Sequence, residues 1–317
     1  GSTLYSLSPA AGIPTSESTN NNIFLGSSAG AAASGAFGSN FFGASAGNNA
    51  VNAWQSNFLG INAGLAASGA SNSNFLGASA GTNAVNASNS NFFGNTAGSA
   101  ATYALQSNFI GNAAGYQAVY AANSNFLGAN AGYQATNAPN SNFIGYAAGL
   151  SASAASYSTL IGTYAGWRSG SLAGIGTNNI IIGNNITLPD NYTNGINIGG
   201  VIFGANAYNG IGTSQPYSGS TSTGRIGILQ PNPQYSLDVS GSTNISGSLT
   251  VTGSVRFGTL TNAAQTNVVA YDTTTGQLYY QPVGTNVAMA VSSSGSTLYS
   301  LSPAAGLPMS NSVTSSI

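Results

Sequence analysis

The chain has 317 residues, enough for two or three ordinary domains, but only seven are charged: Glu17, Arg168, Asp190, Arg225, Asp238, Arg256 and Asp272. Globular domains carry about a quarter charged residues. With three Arg, no Lys, no His and no Cys, there is no basic stripe for nucleic acid, no disulfide or thiolate metal site, and no side chain of the type that most often performs acid–base catalysis. No run approaches the roughly 18 apolar residues of a membrane span.

Residues 1–17 read as a connector broken by Pro9 and Pro14. Residues 18–166 carry a strict 17-residue period, with glycines at Gly26, Gly43, Gly60, Gly77, Gly94, Gly111, Gly128, Gly145 and Gly162. Two places before each stands Phe24, Phe41, Phe58, Phe75, Phe92, Phe109, Phe126, Phe143 or Leu160. One place before stands Leu25, Phe42, Leu59, Leu76, Phe93, Ile110, Leu127, Ile144 or Ile161. Ala-Gly recurs three and four places after, and further Ala columns recur seven and ten places after. A fixed period of this kind marks a solenoid. Two glycines per repeat would each cost a helix about 1 kcal/mol, and 17 does not sustain a heptad.

The expectation is an all-β, parallel β-solenoid (a β-roll) of 17-residue rungs. At roughly 4.8 Å per rung, nine rungs would span about 43 Å. Asn40, Asn57, Asn74, Asn91, Asn108, Asn125 and Asn142 stand at the start of each strand and should form an amide ladder. Adjacent strand residues point to opposite faces. The Phe column can therefore fill the coil while the next column lies outside, as an apolar strip that monomers rarely expose. Burial against two sister chains in a homotrimer is expected. The alternative is a bulge that turns both columns inward.

Residues 167–213 read as degenerate rungs, at Asn179–Gly183, Ile196–Gly199 and Val201–Gly204. A Ser/Thr/Gly-rich linker and alternating strands follow over 214–258. The region 259–291 contains a hairpin across Val268–Tyr280 with Gly276 near its turn. Gly1–Gly12 recurs unchanged as Gly295–Gly306, an offset of 294 residues. Residues 292–317 are therefore expected to start a second tandem unit, and the chain, which starts at Gly1 without an initiator Met, to be a piece of a longer protein. A duplicated linker is the simpler version.

The segment Arg225-Ile-Gly-Ile-Leu-Gln-Pro-Asn-Pro233, continuing through Leu237-Asp238-Val239-Ser-Gly241, resembles one common in bacteriophage tail fibres, with Leu229-Gln230 where Gly-Thr is usual. The Asn-Phe-[Leu/Ile/Phe]-Gly-x-x-Ala-Gly rungs are similar to repeats in such fibres. More distantly, they resemble the heads of trimeric autotransporter adhesins, which use shorter rungs. The resemblance spans about residues 20–290 and implies a trimeric fibre. With no Lys in the chain, nothing is carried over from any Ser-Lys self-cleavage chemistry.

Four carboxylates spread from Glu17 to Asp272 suggest no catalytic pair within the chain, and no cofactor is expected. A trimer could gather three copies of Asp190 or Asp238 around Ca²⁺, but Asp238 reads more simply as a turn residue. Trp54, Trp167, Tyr103, Tyr116, Tyr120 and Tyr133 could stack on a cell-surface glycan or simply pack and seal the walls. Sequons at Asn185, Asn191 and Asn244 are expected by chance in so Asn-rich a chain. The functional expectation is a non-enzymatic structural segment of a long extracellular or virion fibre. A bacterial cell-surface adhesin or extracellular filament is the alternative, and ice binding by a flat uncharged face is a third class.

Overall fold

The computed structural model describes residues 5–6, 21–167, 174–206, 224–253, 267–271, 278–282, 287–289 and 299–301. Most of the 1–17 connector, the 215–223 part of the linker and the turn around Gly276 lie outside the described residues. All described regular structure is β. The chain divides into two compact units, 1–244 and 245–317.

In the first unit a 15-stranded sheet runs in chain order. Strand β1 (Tyr5–Ser6) precedes the rung strands β2 (Ile23–Leu25), β3 (Asn40–Phe42), β4 (Asn57–Leu59), β5 (Asn74–Leu76), β6 (Asn91–Phe93), β7 (Asn108–Ile110), β8 (Asn125–Leu127), β9 (Asn142–Ile144) and β10 (Thr159–Ile161). Then come β11 (Ile180–Ile182), β12 (Ile196–Ile198), β13 (Ile202–Ala205), β14 (Arg225–Ile228) and β15 (Leu237–Val239). Pairing is parallel from β1 through β12. From β3 to β9 like sits on like: Phe41 on Phe58, Phe58 on Phe75, Phe75 on Phe92. The structure is the β-solenoid that the period implies.

Each rung has a small interior. The Phe ring, three Ala and one Ser point inward, and Phe58, Ala63, Ala67, Ala70 and Ser56 are all fully buried. Facing the large ring with methyl groups lets the walls close at native packing density. The rings form one continuous stack from Phe24 to Phe143, with centroids 4.6–4.8 Å apart and planes within 7° of parallel. That spacing lies within the favourable range for aromatic pairs and coincides with the rise between parallel strands.

The rest of the rung is turn, and its backbone is bonded between rungs. A second wall is one residue wide, a chain of parallel bridges from Ser34 through Val51, Ser68, Val85, Thr102, Val119 and Thr136 to Ser153. Residues two, six, nine and twelve places after the rung glycine take positive φ, as at Asn62 (58°), Ala66 (52°), Gly69 (64°) and Asn72 (55°). This conformation turns their N–H groups back to the previous rung. Asn62 donates to Ala44 O, Ala66 to Asn48 O, Gly69 to Val51 O and Asn72 to Trp54 O. Gly64, Ser68 and Asn74 donate forward to Ala80, Ala84 and Ser90. The whole perimeter therefore behaves as a ladder, which meets the demand that buried backbone groups be paired.

The stack closes with polar residues at both ends. Asn22 takes the Ser position at the first rung and Asn179 at the rung of β11; both are buried. Spacing changes from 17 to 21 residues between β10 and β11, then to 16 between β11 and β12. Asn197 replaces the hydrophobe of the core column; its Nδ2 donates to Thr187 O (2.7 Å) and its Oδ1 accepts from Gly200 N (3.0 Å). The expectation of a further rung at Val201–Gly204 is corrected here. Gly199 and Gly200 have φ of 63° and 70°, Val201 N donates to Ile198 O, and β13 returns antiparallel to β12. Two consecutive positive-φ glycines make the tight hairpin turn that reverses a strand.

Strand β14 pairs antiparallel with β13 and parallel with β15. In the second unit, β16 (Asn267–Tyr271) and β17 (Leu278–Pro282) form the expected antiparallel hairpin. Strands β18 (Val287–Met289) and β19 (Tyr299–Leu301) form another antiparallel pair.

Residues 21–167 contain no Asp, Glu, Lys, Arg or His, which leaves Tyr as the ionisable type in the stack. A side-chain hydrogen bond with Tyr146, followed by desolvation and charge interaction, holds the Tyr164 phenol above its ordinary value of 10.0. The folded chain keeps this proton where the unfolded chain starts to lose it. Stability is therefore unaffected well below pH 10 and falls as pH climbs above it. We expect the melting temperature of the solenoid, followed by circular dichroism, to shift by less than about 2 °C between pH 4 and 9 and to drop beyond 10.

Candidate interaction face

Each three-residue strand presents its first and third side chains outward and its second inward. Phe41, Phe58, Phe75, Phe92, Phe109, Phe126 and Phe143 are thus interior, at 0% exposure. They form the core and cannot touch a partner. Gly43, Gly60, Gly77, Gly94, Gly111, Gly128 and Gly145 follow the strands at φ of 130–140° and set the spacing between rungs. The bulge that would turn both apolar columns inward is not formed.

Two columns remain on the outer face. The first is the Asn ladder. Asn40 Nδ2 donates to Asn57 Oδ1, and the same bond repeats through Asn74, Asn91, Asn108 and Asn125 to Asn142, at 2.8–2.9 Å. Because the amides satisfy one another along the stack, the ladder makes small demands on water or a partner. The second is the apolar row that runs from Leu25 to Ile161 and continues through Ile182 to Ile198. It is half-buried for most of its length and reaches 39% exposure at Ile110 and 40% at Ile144. Between the two columns lies an open groove of about 430 Å³, lined by Asn40, Phe42, Asn57, Leu59, Asn74 and Leu76 among others.

A third column escaped sequence reasoning because Ser is ordinarily a surface residue. Ser39, Ser56, Ser73, Ser90, Ser107, Ser124, Ser141 and Ser158 are fully buried. Ser56 Oγ donates to Ala70 O (2.6 Å) and accepts from Ser73 N (3.1 Å), and the pattern repeats along the stack. Its signal was the invariable Ser before each Asn of the rungs from Ser39 to Ser141.

The aromatic candidates fall into separate places. Tyr103 stacks on Tyr120 at 4.9 Å and Tyr116 on Tyr133 at 5.0 Å, while Trp167 meets Tyr164 at 5.2 Å. Trp54 is exposed without a ring neighbour among the described residues. Asp238 Oδ2 accepts from Gln234 N (2.8 Å) and Arg225 Nη1 donates to Pro233 O (3.1 Å), so both close the turn between β14 and β15. Asn191 Oδ1 accepts from Gly174 N (2.9 Å). Among the described residues no cluster of three or more His, Cys, Asp or Glu could hold a metal ion, and no helix is long and apolar enough to cross a membrane.

Comparison with protein-family profiles, curated proteins and solved structures finds no match.

Proposed function

We propose that this chain is a non-catalytic structural segment of a long extracellular or virion fibre of the tail-fibre kind, assembled laterally as a homotrimer through the outer face of the β2–β12 ladder. The supporting observation is the apolar row, which continues unbroken by any charge for eleven rungs. Fully burying an aliphatic side chain is worth about 1.5–3 kcal/mol, and these residues are already half covered. Each rung therefore adds on the order of 1 kcal/mol, and the row about 10 kcal/mol per chain. Association costs about 4–15 kcal/mol, so rung number governs assembly: three or four rungs would not hold together, and eleven reach the threshold. The self-satisfied Asn ladder beside the row can be buried at little cost.

The test is the mass of the purified chain by light scattering, together with the double substitution Leu76→Asp and Leu127→Asp. The expected result is three times the chain mass for the natural sequence and a monomer with the same β-type circular dichroism for the variant, whose changes lie outside the core. A natural chain that stays monomeric at tens of micromolar overturns the proposal.

A further inference from the structure

The outer face changes character where the stack ends. Along the rungs it sets an amide column beside an apolar row; in β12–β15 both columns are aliphatic apart from one glycine. Residues opposite one another in paired strands share a side of the sheet. The registers therefore place Ile198 beside Ile202, Ile202 beside Ile228, Ile226 beside Leu237 and Ile228 beside Val239, all on the outer side. We propose that this face of β12–β15 packs against the same face of two sister chains and sets the axial register in which their rungs meet. The inference rests on the homotrimer proposed above and identifies what aligns it.

The rungs cannot supply that register themselves. From β3 to β9 every strand shows the same outward pair, Asn and then Leu, Ile or Phe. A sister chain displaced by one rung, about 4.8 Å, meets nearly the same surface and gives up one contact of the eleven from β2 to β12. The face of β12–β15 does not repeat. Gly204 is a gap between Ile196 and Ile226, and Ile196 leans over it, since a Cβ on Gly204 would stand 2.9 Å from the Ile196 Cβ. A one-rung shift brings a bulky side chain to that gap and withdraws one strand of the four from contact.

The face itself indicates its partner. It continues the apolar row, with Ile182 opposite Ile198, so chains seated on one another's rows at equal height bring their copies of it together. Ile202, Ile226 and Leu237 are 40%, 52% and 63% exposed. The aliphatic side chains of β12–β15 together expose on the order of 600 Å², the upper end for the largest apolar patch of a monomer. Charge is depleted at the centre of protein interfaces, and here it is kept off the face. Arg225 and Asp238 pair with Ala205 and Gly227 on the other side of the sheet and are bonded within the β14–β15 turn.

The chain has no cysteine, so introduced thiols report register. Leu76→Cys chains and Phe93→Cys chains, whose thiols lie one rung apart in the row, are unfolded together, refolded and oxidised. An affinity tag on one of them gives the three disulfide-linked products different masses. The expected result is at least tenfold more of the two like-with-like disulfides than of the mixed one. Adding Ile226→Ser and Leu237→Ser to both chains should raise the mixed product at least fivefold, with trimers still seen by light scattering and circular dichroism unchanged. Tyr235→Ser alters a more exposed side chain in the β14–β15 turn and should leave the preference intact. Natural trimers that form the mixed disulfide as readily as the others, or a preference that survives both Ser substitutions, overturn the inference and leave lateral assembly standing. A natural chain that stays monomeric, or trimers that form no disulfide through the row, remove both.

Discussion

Phe92→Ala is expected to lower the unfolding free energy by about 4–5 kcal/mol, the top of the range for aromatic truncation in a core. Two effects add. The ring is fully buried, so its removal leaves a cavity between the Phe75 and Phe109 rings, with Ala methyl groups and backbone at its sides that are too short and too constrained to collapse into it. The ring also stacks on two others, Phe75 at 4.7 Å and Phe109 at 4.8 Å, and each such pair contributes about 0.5–1.5 kcal/mol beyond burial. The comparison that isolates the stacking is Phe92→Leu. Leu160 already occupies this column, directly on Phe143, so a Leu fits the interior and the cost should fall to about 2 kcal/mol. Equilibrium denaturation in guanidinium measures both. Equal costs for Ala and Leu would mean that ring stacking carries the column and volume does not. A loss below about 1 kcal/mol for Ala would contradict the single continuous core described here.

The parallel solenoid was legible because its period is enforced at several columns at once: Phe, rung Gly, Ala and Gly each had to recur at 17. The inward and outward alternation of Asn-Phe-Leu followed from strand geometry alone, as did the amide ladder. What the sequence concealed was the geometry of the turns. Positive φ is signalled by Gly and, more weakly, by Asn, and the positions nine and twelve places after the rung glycine are filled variously by Gly, Asn, Gln, Tyr and Ala. Tyr103, Tyr120 and Ala154 adopt the left-handed conformation because carbonyls of the previous rung accept from their amides, a tertiary cause with no local trace. The end of the stack was legible in principle. Asn197 in a column of Phe, Leu and Ile, followed by Gly199-Gly200, marks the close of a core and a two-residue hairpin. The Ile-rich surroundings, which resemble one more rung, masked that signal.

Gly77→Ala should be at least as damaging per atom added as any substitution in the chain, with a loss on the order of 3 kcal/mol from a single methyl group. A Cβ at this position would stand 2.4 Å from the carbonyl oxygen of Gly94 in the next rung, and the backbone is at φ +134°, a region that L-residues with side chains rarely enter. The obstacle is backbone, which cannot rotate aside as a side chain would. Relief requires the two rungs to separate, and separation stretches the Phe stack, the Asn ladder and the perimeter hydrogen bonds together. Ala66 supplies the opposite case. It sits at φ 52°, where an L-residue bears about 1–2 kcal/mol of strain, so Ala66→Gly should be neutral to stabilising even after the added chain entropy of glycine, which costs about 0.5–1 kcal/mol. In thermal unfolding Gly77→Ala should therefore melt well below the natural chain, and Ala66→Gly no lower than it. If Gly77→Ala melts within a degree of it, the rungs are not stacked at the register given by Phe75 on Phe92, and the glycine column must serve something other than close approach.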